Sequence, residues 1–96
     1  MTTVASEDLK HEIKELIMDT LSIQDINPED IDEEKPLFGG ENALTLDSVD
    51  ALEIIMAVQR KYNVRIGDQN LARNIIRSIN SIAEFITAEQ EKPHLD

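Results

Sequence analysis

The chain changes character at Leu46-Asp47-Ser48-Val49-Asp50-Ala51-Leu52-Glu53, where an irregular acidic segment is followed by an apolar helical pattern that continues to Tyr62. A serine at such a boundary is a typical N-cap, because its hydroxyl can accept a hydrogen bond from a free backbone N–H of the first turn. Asp50 then falls inside that turn, where a negative charge is favourable at the positive end of the helix dipole. The stretch therefore predicts a helix capped by Ser48, and a phosphate ester on this serine would lie at the same positive helix end.

The composition is that of one small acidic domain. The sequence has 96 residues, with nine basic and twenty acidic side chains and a net charge of −11. A chain of this length can bury one core, but not a core and a deep catalytic cleft, so a stand-alone enzyme is not expected. The negative charge repels nucleic acids and anionic membrane surfaces, and it favours proteins with basic surfaces as partners.

The sequence lacks cysteine, a secretion signal and a membrane-spanning segment, and these absences indicate its redox chemistry and its compartment. It has no cysteine, which excludes a disulfide framework, a thiolate metal site and a thiol nucleophile belonging to the polypeptide. The N-terminus lacks the basic start and apolar run of a secretion signal, and no segment reaches membrane-spanning length. We therefore expect a cytoplasmic protein that does not insert into membranes. We also expect it to be a monomer.

Apolar residues recur every three or four positions in four segments, and this period is typical of helices that bury one face. The predicted helices cover approximately residues 7–21, 48–62, 69–78 and 82–89. The period is lost between the first two, where a long loop should be held down by its own apolar side chains: Ile26, Ile31, Leu37, Phe38, Leu44 and Leu46. The pattern predicts an all-α fold, a four-helix bundle with a long first loop. Its domain covers residues 6–89, between flexible ends at 1–5 and 90–96.

Two further features of the helices can be predicted. Asp68 is placed to cap the third helix, and Ser81 with Glu84 has the spacing of a capping box that opens the fourth. Leu71 and Ile75 are expected on the buried face of the third helix. The second helix has more apolar positions than one core-facing stripe requires, so some of them should face solvent or a partner unless the helix is buried on several sides.

The stretch around Ser48, preceded by Lys35-Pro36-Leu37-Phe38-Gly39-Gly40, resembles the prosthetic-group motif of acyl carrier proteins, and the resemblance extends over residues 6–89. In that family the serine of Asp-Ser-[Leu/Ile/Val] carries 4′-phosphopantetheine. The resemblance implies that a phosphopantetheinyl transferase attaches this group to Ser48, and that acyl groups are then held as thioesters on its terminal thiol. It also implies that the chain is a carrier in fatty-acid or specialised lipid or polyketide-type biosynthesis, and not an enzyme.

The resemblance implies partner contacts as well. Acyl-loading, ketosynthase or acyltransferase-type enzymes with basic docking surfaces are expected to contact Asp47, Asp50 and Glu53. Val49 and Met56 should supply the apolar contact between these charges. Positions 49, 53 and 56 follow three- and four-residue steps along one helix face, which supports this grouping.

The charge distribution departs from that of housekeeping fatty-acid carriers. Residues 1–59 hold fifteen acidic and three basic side chains, a net charge of −12, whereas residues 60–80 hold five basic side chains and one acidic, a net charge of +4. The basic residues are Arg60, Lys61, Arg65, Arg73 and Arg77. In housekeeping carriers the corresponding segment is usually acidic, so this chain looks more like a stand-alone carrier of a specialised pathway. The basic cluster is either a solvated face or a contact surface.

A calcium loop is the sharpest alternative to a carrier. Asp30, Asp32, Glu34 and Glu41 fall at positions 1, 3, 5 and 12 of an EF-hand register, but Lys35 stands where the turn requires glycine. No metal site is predicted. The alternative function is a small acidic helical interaction module with weak divalent-cation (calcium) binding and no prosthetic group, and modification of Ser48 distinguishes it from a carrier.

Overall fold

The computed structural model describes residues 7–38 and 46–91. These ranges contain four α-helices: α1 (Glu7–Thr20), α2 (Ser48–Tyr62), α3 (Gln69–Ile75) and α4 (Ile79–Glu91), with a short 3-10 turn at Pro28–Asp30. Extended pairing within the same ranges is limited to an isolated parallel bridge between Phe38 and Leu46. The predicted all-α fold with a long first loop is confirmed. None of the helices described is both long enough and apolar enough to cross a membrane.

The core forms where α1 packs against α2 and α4, while α3 packs against α4. Ile13 and Ile17 of α1 are fully buried, in agreement with the predicted apolar stripe. On α2 the buried positions are Ile54 and Val58, one helical turn apart. Because α2 and α3 lie against different neighbours, a groove is left between them.

The end of α1 and the end of α2 each use a left-handed residue. Ser22, with φ 57°, follows α1, and the amide of Ile23 donates to the carbonyl of Met18 at 2.8 Å. Asn63, with φ 54°, ends α2, and its amide donates to the carbonyl of Gln59. This left-handed conformation satisfies helix carbonyls that would otherwise lack a donor.

The predicted boundary between the third and fourth helices is wrong. α3 ends at Ile75 and α4 begins at Ile79, because the capping box forms between Ser78 and Ser81 and not between Ser81 and Glu84. The amide of Ser81 donates to Ser78 Oγ at 3.1 Å, and the amide of Ser78 donates to Ser81 Oγ at 2.9 Å. Ser81 Oγ also donates to the carbonyl of Ile75 at 2.6 Å, so this one hydroxyl joins the end of α3 to the start of α4.

Two more predictions about this half of the chain are corrected. Leu71 was expected on the buried face of the third helix, yet it is 45% exposed, and Ala72, Ile75 and Ile76 are the buried residues there. Because α3 ends at Ile75, it is shorter than the predicted helix of residues 69–78, and its buried face is formed near its end. α4 continues through Glu91, beyond residue 89 and into the segment predicted as a flexible tail. Residues 1–6 and 92–96, with the other predicted flexible end, lie outside the described ranges.

The long loop is fixed to the bundle on two sides. Ile31, Leu37 and Leu46 are buried as predicted, whereas Leu44 lies outside the described residues. The amide of Leu37 donates to the carbonyl of Arg77 at 2.8 Å, which ties the loop to the turn between α3 and α4. Ile26 and Phe38 are partly buried against the core. The described part of the loop before residue 39 is therefore held against the helices, and the buried side chain of Leu46 holds the chain just before α2.

Glu33 makes the other attachment of the loop. Its Oε2 lies 2.8 Å from Lys14 Nζ on α1, and its carbonyl accepts from the amide of Asn80 on α4 at 2.9 Å. Lys14 is itself buried, with 8% of the residue exposed. The hydrogen bond and charge of Lys14 hold the pKa of Glu33 below its ordinary range. One residue of the loop is thus bound to two helices.

Candidate functional site

Asp47, and not Ser48, is the N-cap of α2. Asp47 Oδ1 accepts from the amide of Asp50 at 3.0 Å, and Asp50 Oδ2 accepts from the amide of Asp47 at 3.1 Å, which completes a reciprocal capping box. The prediction that Ser48 caps the helix is therefore wrong by one residue. A carboxylate accepts these hydrogen bonds more strongly than a hydroxyl and also suits the positive helix end, so it takes the cap position.

The shift of the cap leaves the hydroxyl of Ser48 available. Ser48 is the first residue of α2, its side chain is exposed, and its Oγ makes no hydrogen bond to another described residue. Leu46, two residues earlier, is 7% exposed and fixes the chain against the core. A serine held this way presents its hydroxyl to an incoming molecule without having to break a contact within the described fold.

A groove of about 550 Å³ opens beside Ser48, between α2 and α3. Ala51, Leu52 and Ile55 line it from α2, and Ala72 and Ile76 from the other side. Phe38 and Leu46 contribute from the loop. The remaining lining residues are Asp47, Ser48 and Arg73, so apolar walls lie beside three polar side chains. Such a groove can hold an alkyl chain that starts near Ser48, because burial of apolar surface is favourable on each added methylene group.

α2 has an exposed apolar face next to the same serine. Val49, Leu52 and Met56 are 64%, 60% and 57% exposed, and their spacing of three and four residues places them on one side of the helix. Leu52 therefore joins Val49 and Met56, although it is not among the predicted contact residues. Its position could have been predicted from the helical spacing, because Leu52 stands three residues after Val49 and four before Met56.

The three acids near Ser48 have different local roles. Asp47 and Asp50 use their carboxylates to cap α2, although Asp47 is exposed and Asp50 is half-buried. Glu53 is exposed and forms no ion pair with a described base. Asp47 and Asp50 still contribute negative charge at the surface. Glu53 differs from them because its carboxylate is not held in the helix cap.

Most of the described basic residues fall into two groups. Lys10 and Lys14 both pair with Glu33, at 3.6 Å and 2.8 Å, and so neutralise this acid between α1 and the loop. The second group is the predicted basic cluster, which comprises Arg60, Lys61, Arg65, Arg73 and Arg77; all five are exposed and none forms an ion pair with a described acid, and Lys61 Nζ lies 5.9 Å from the centre of the Tyr62 ring. The predicted basic cluster therefore keeps its charge on the surface, in a protein that otherwise has an excess of acids.

Asp32 of the acidic loop uses its carboxylate within the loop itself. Asp32 Oδ1 accepts from the amides of Glu34 and Lys35 at 2.8 and 2.9 Å, which lowers the pKa of Asp32. Residues 7–38 and 46–91 contain no cluster of three or more side chains suited to a metal ion. Glu41, the last position of the calcium register, lies outside these ranges.

The chain is similar to known proteins over most of its length. Residues 11–86 match the family described as "Phosphopantetheine attachment site". The chain is also 29% identical over 75 residues to an acyl carrier protein of Wolinella succinogenes, an alignment that covers 78% of this chain and 88% of that protein. No solved structure matches the chain significantly.

Proposed function

Because this chain belongs to the acyl carrier family of phosphopantetheine-binding proteins, which carry a covalent 4′-phosphopantetheine, we propose that Ser48 is the residue to which that group is attached. The observation that carries the proposal is the exposed hydroxyl of Ser48 at the start of α2, which no other described residue binds. Other described serines are less suitable. Ser78 and Ser81 bind each other and the end of α3, and Ser22, which follows α1, is not among the residues that line the groove.

The surroundings of Ser48 fit the prosthetic group. The groove begins at this residue and is lined mainly by apolar side chains, so it can shelter an acyl chain that folds back along α2. When bound, the group supplies a terminal thiol that holds acyl chains as thioesters, which a chain without cysteine cannot supply itself. Family membership thereby sets aside the alternative of an interaction module without a prosthetic group.

Attachment requires a partner enzyme. Ser48 Oγ would form a bond to the β-phosphorus of coenzyme A, the bond between that phosphorus and the bridging oxygen would break, and adenosine 3′,5′-bisphosphate would leave. Among the described residues, the charged side chains that line the groove are Asp47 and Arg73. Asp47 is committed to the helix cap and Arg73 has no acceptor for a proton, so we expect the phosphopantetheinyl transferase and its metal to activate the hydroxyl.

We assign the docking of acyl-loading, ketosynthase or acyltransferase-type enzymes to the exposed face of α2. Val49, Leu52 and Met56 offer an apolar patch, and Glu53 offers a carboxylate beside it, so a complementary enzyme presents basic residues around an apolar surface. Contacts of this size are weak and depend on salt, which suits a protein that must leave one enzyme and reach the next. The enzymes in question belong to fatty-acid or specialised lipid or polyketide-type biosynthesis.

Intact-mass analysis tests the assignment of Ser48. The purified protein is incubated with coenzyme A and a broad-specificity phosphopantetheinyl transferase, and it should gain the mass of one phosphopantetheine group. Ser48→Ala should keep the helical circular dichroism spectrum and lose the mass gain, because Asp47 supplies the cap. Ser22→Ala is the matched control and should be modified like wild type. A mass gain on Ser48→Ala would refute the assignment.

A further inference from the structure

Among the described residues, Arg73 is the only positively charged side chain that lines the groove beside Ser48. It lies on α3, next to Ala72, and faces the groove across from the α2 side chains. Apolar residues form most of the wall, and the guanidinium differs from them because it has five N–H donors and a permanent positive charge. An alkyl chain in the groove would leave these donors to water alone.

No described acid satisfies Arg73. On a helix the nearest side chains are three and four residues away, and around Arg73 these positions hold Gln69, Asn70, Ile76 and Arg77, none of them acidic. Asp47 lines the same groove, but its carboxylate caps α2 and forms no ion pair with Arg73. The charge of Arg73 is therefore uncompensated within the described part of the protein, at a wall where a ligand would lie.

We propose that Arg73 makes the groove selective for acyl chains that carry a carboxylate, so that dicarboxylic half-thioesters are held more firmly than plain fatty acyl groups. The inference rests on the proposed attachment at Ser48. A guanidinium binds a carboxylate through two parallel hydrogen bonds, which are shorter and stronger than neutral ones. The alkyl part of such a chain meets the apolar wall, and its terminal carboxylate meets Arg73.

Arg77 provides a matched control. It is an exposed arginine four residues after Arg73, it also lacks a described acidic partner, and it does not line the groove. Substitution of either arginine by glutamine removes the same charge from the same region of the surface. A difference between the two variants therefore reports on the groove and not on net charge.

The test compares two cargoes of equal chain length, octanoyl and suberyl, the latter bearing a terminal carboxylate. A broad-specificity phosphopantetheinyl transferase loads each from its coenzyme A thioester onto wild type, Arg73→Gln, Arg73→Lys and Arg77→Gln. Intact mass first verifies loading, and the rate of thioester release by hydroxylamine then reports how well the chain is sheltered. Suberyl should be released about threefold faster from Arg73→Gln than from wild type, the scale expected of a partly exposed ion pair.

The other arms of the experiment decide between explanations. Octanoyl should be released equally from all four proteins, suberyl should leave Arg77→Gln as it leaves wild type, and Arg73→Lys should fall between wild type and Arg73→Gln. Equal suberyl release from wild type and Arg73→Gln would overturn the proposal. The NMR signal of the Arg73 Nε–H gives a second test. If this signal shifts fully when phosphopantetheine alone is attached, and does not shift further when suberyl is added, the guanidinium binds the phosphodiester and not the cargo, and the proposal is overturned.

Failure of attachment at Ser48 can be separated from failure at Arg73. Unmodified protein can be titrated with the N-acetylcysteamine thioesters of suberic and octanoic acid, which imitate the end of the arm without its phosphate. A shift of the Arg73 Nε–H, without one at Arg77, on addition of the suberyl compound supports the carboxylate site whether or not Ser48 is modified. No shift with either compound would count against it.

Discussion

The ion pair between Lys14 and Glu33 should contribute measurably to stability, and Glu33→Gln removes it. Lys14 Nζ lies 2.8 Å from Glu33 Oε2, and the two side chains are 10% and 26% exposed. Loss of one partner costs about 3–5 kcal/mol in a fully buried pair and about 0.2–1 kcal/mol in an exposed one, so a loss of about 1.5 kcal/mol is expected here. The substitution leaves the buried ammonium of Lys14 with a neutral amide.

The same pair predicts how the loss depends on pH. Lys14 lowers the pKa of Glu33 in the folded protein below the ordinary value of 4.5. Since the folded state favours the ionised carboxylate, the stabilisation is fully present above that ordinary value and is lost as the pH falls through the folded pKa. The glutamine variant has no carboxyl to titrate at position 33. The difference between wild type and variant should therefore be largest near neutral pH and shrink at acidic pH.

Urea denaturation followed by circular dichroism measures this difference, and thermal unfolding should show it as a decrease of about 6–12 °C in Tm. Glu34→Gln is the control, because Glu34 is the exposed neighbour and its side chain forms no described ion pair. If both substitutions destabilise the protein equally, or if the effect of Glu33→Gln is unchanged below pH 4.5, the ion pair does not hold the loop as we infer.

Three further outcomes are expected. The Tm should rise with moderate salt or millimolar divalent cations, because screening relieves the repulsion of a net charge of −11, and a constant Tm would show that the acids are already compensated. Glu53→Lys should slow modification by a phosphopantetheinyl transferase about fivefold at low salt and less at high salt, whereas Glu34→Lys should not, and equal rates would remove Glu53 from the docking face. Ser81→Ala should lower the free energy of unfolding by about 1–2 kcal/mol in urea denaturation, because its hydroxyl completes the capping box with Ser78 and donates to the carbonyl of Ile75; a neutral substitution would contradict that role.

The sequence predicted the helices better than their ends. Periodic apolar residues are a local signal, and Ile13, Ile17, Ile54 and Val58 are buried as that signal requires. Two cap positions were misplaced because several residues in a row could serve. Asp47 and Ser48 are both good caps, and the choice between them depends on where the loop enters the helix.

Contacts between distant segments could not be predicted from local sequence patterns. Lys14 and Glu33 are separated by a loop without periodicity, and nothing in their spacing indicates that one would bind the other. The groove between α2 and α3 was likewise not predicted, and with it the position of Arg73, because the early end of α3 is set by the hydroxyl of Ser81. The choice of Ser48 as the candidate attachment residue, in contrast, needs no structure, because it rests on the residues beside it in the sequence. Its attachment role, the monomeric state and the cytoplasmic location stay predictions.

Because Asp47 caps α2, the start of this helix does not depend on whether a group is attached to Ser48. Because Asp47 and Asp50 hold the start of α2 without the Ser48 hydroxyl, attachment of a group to Ser48, as we propose, would leave the cap of this helix unchanged. Unloaded molecules would then compete with loaded ones for the same enzymes. The flux through such a pathway would depend on the loaded fraction of the carrier and not only on its amount, so we expect overproduction of the protein without a transferase to inhibit the enzymes that use it.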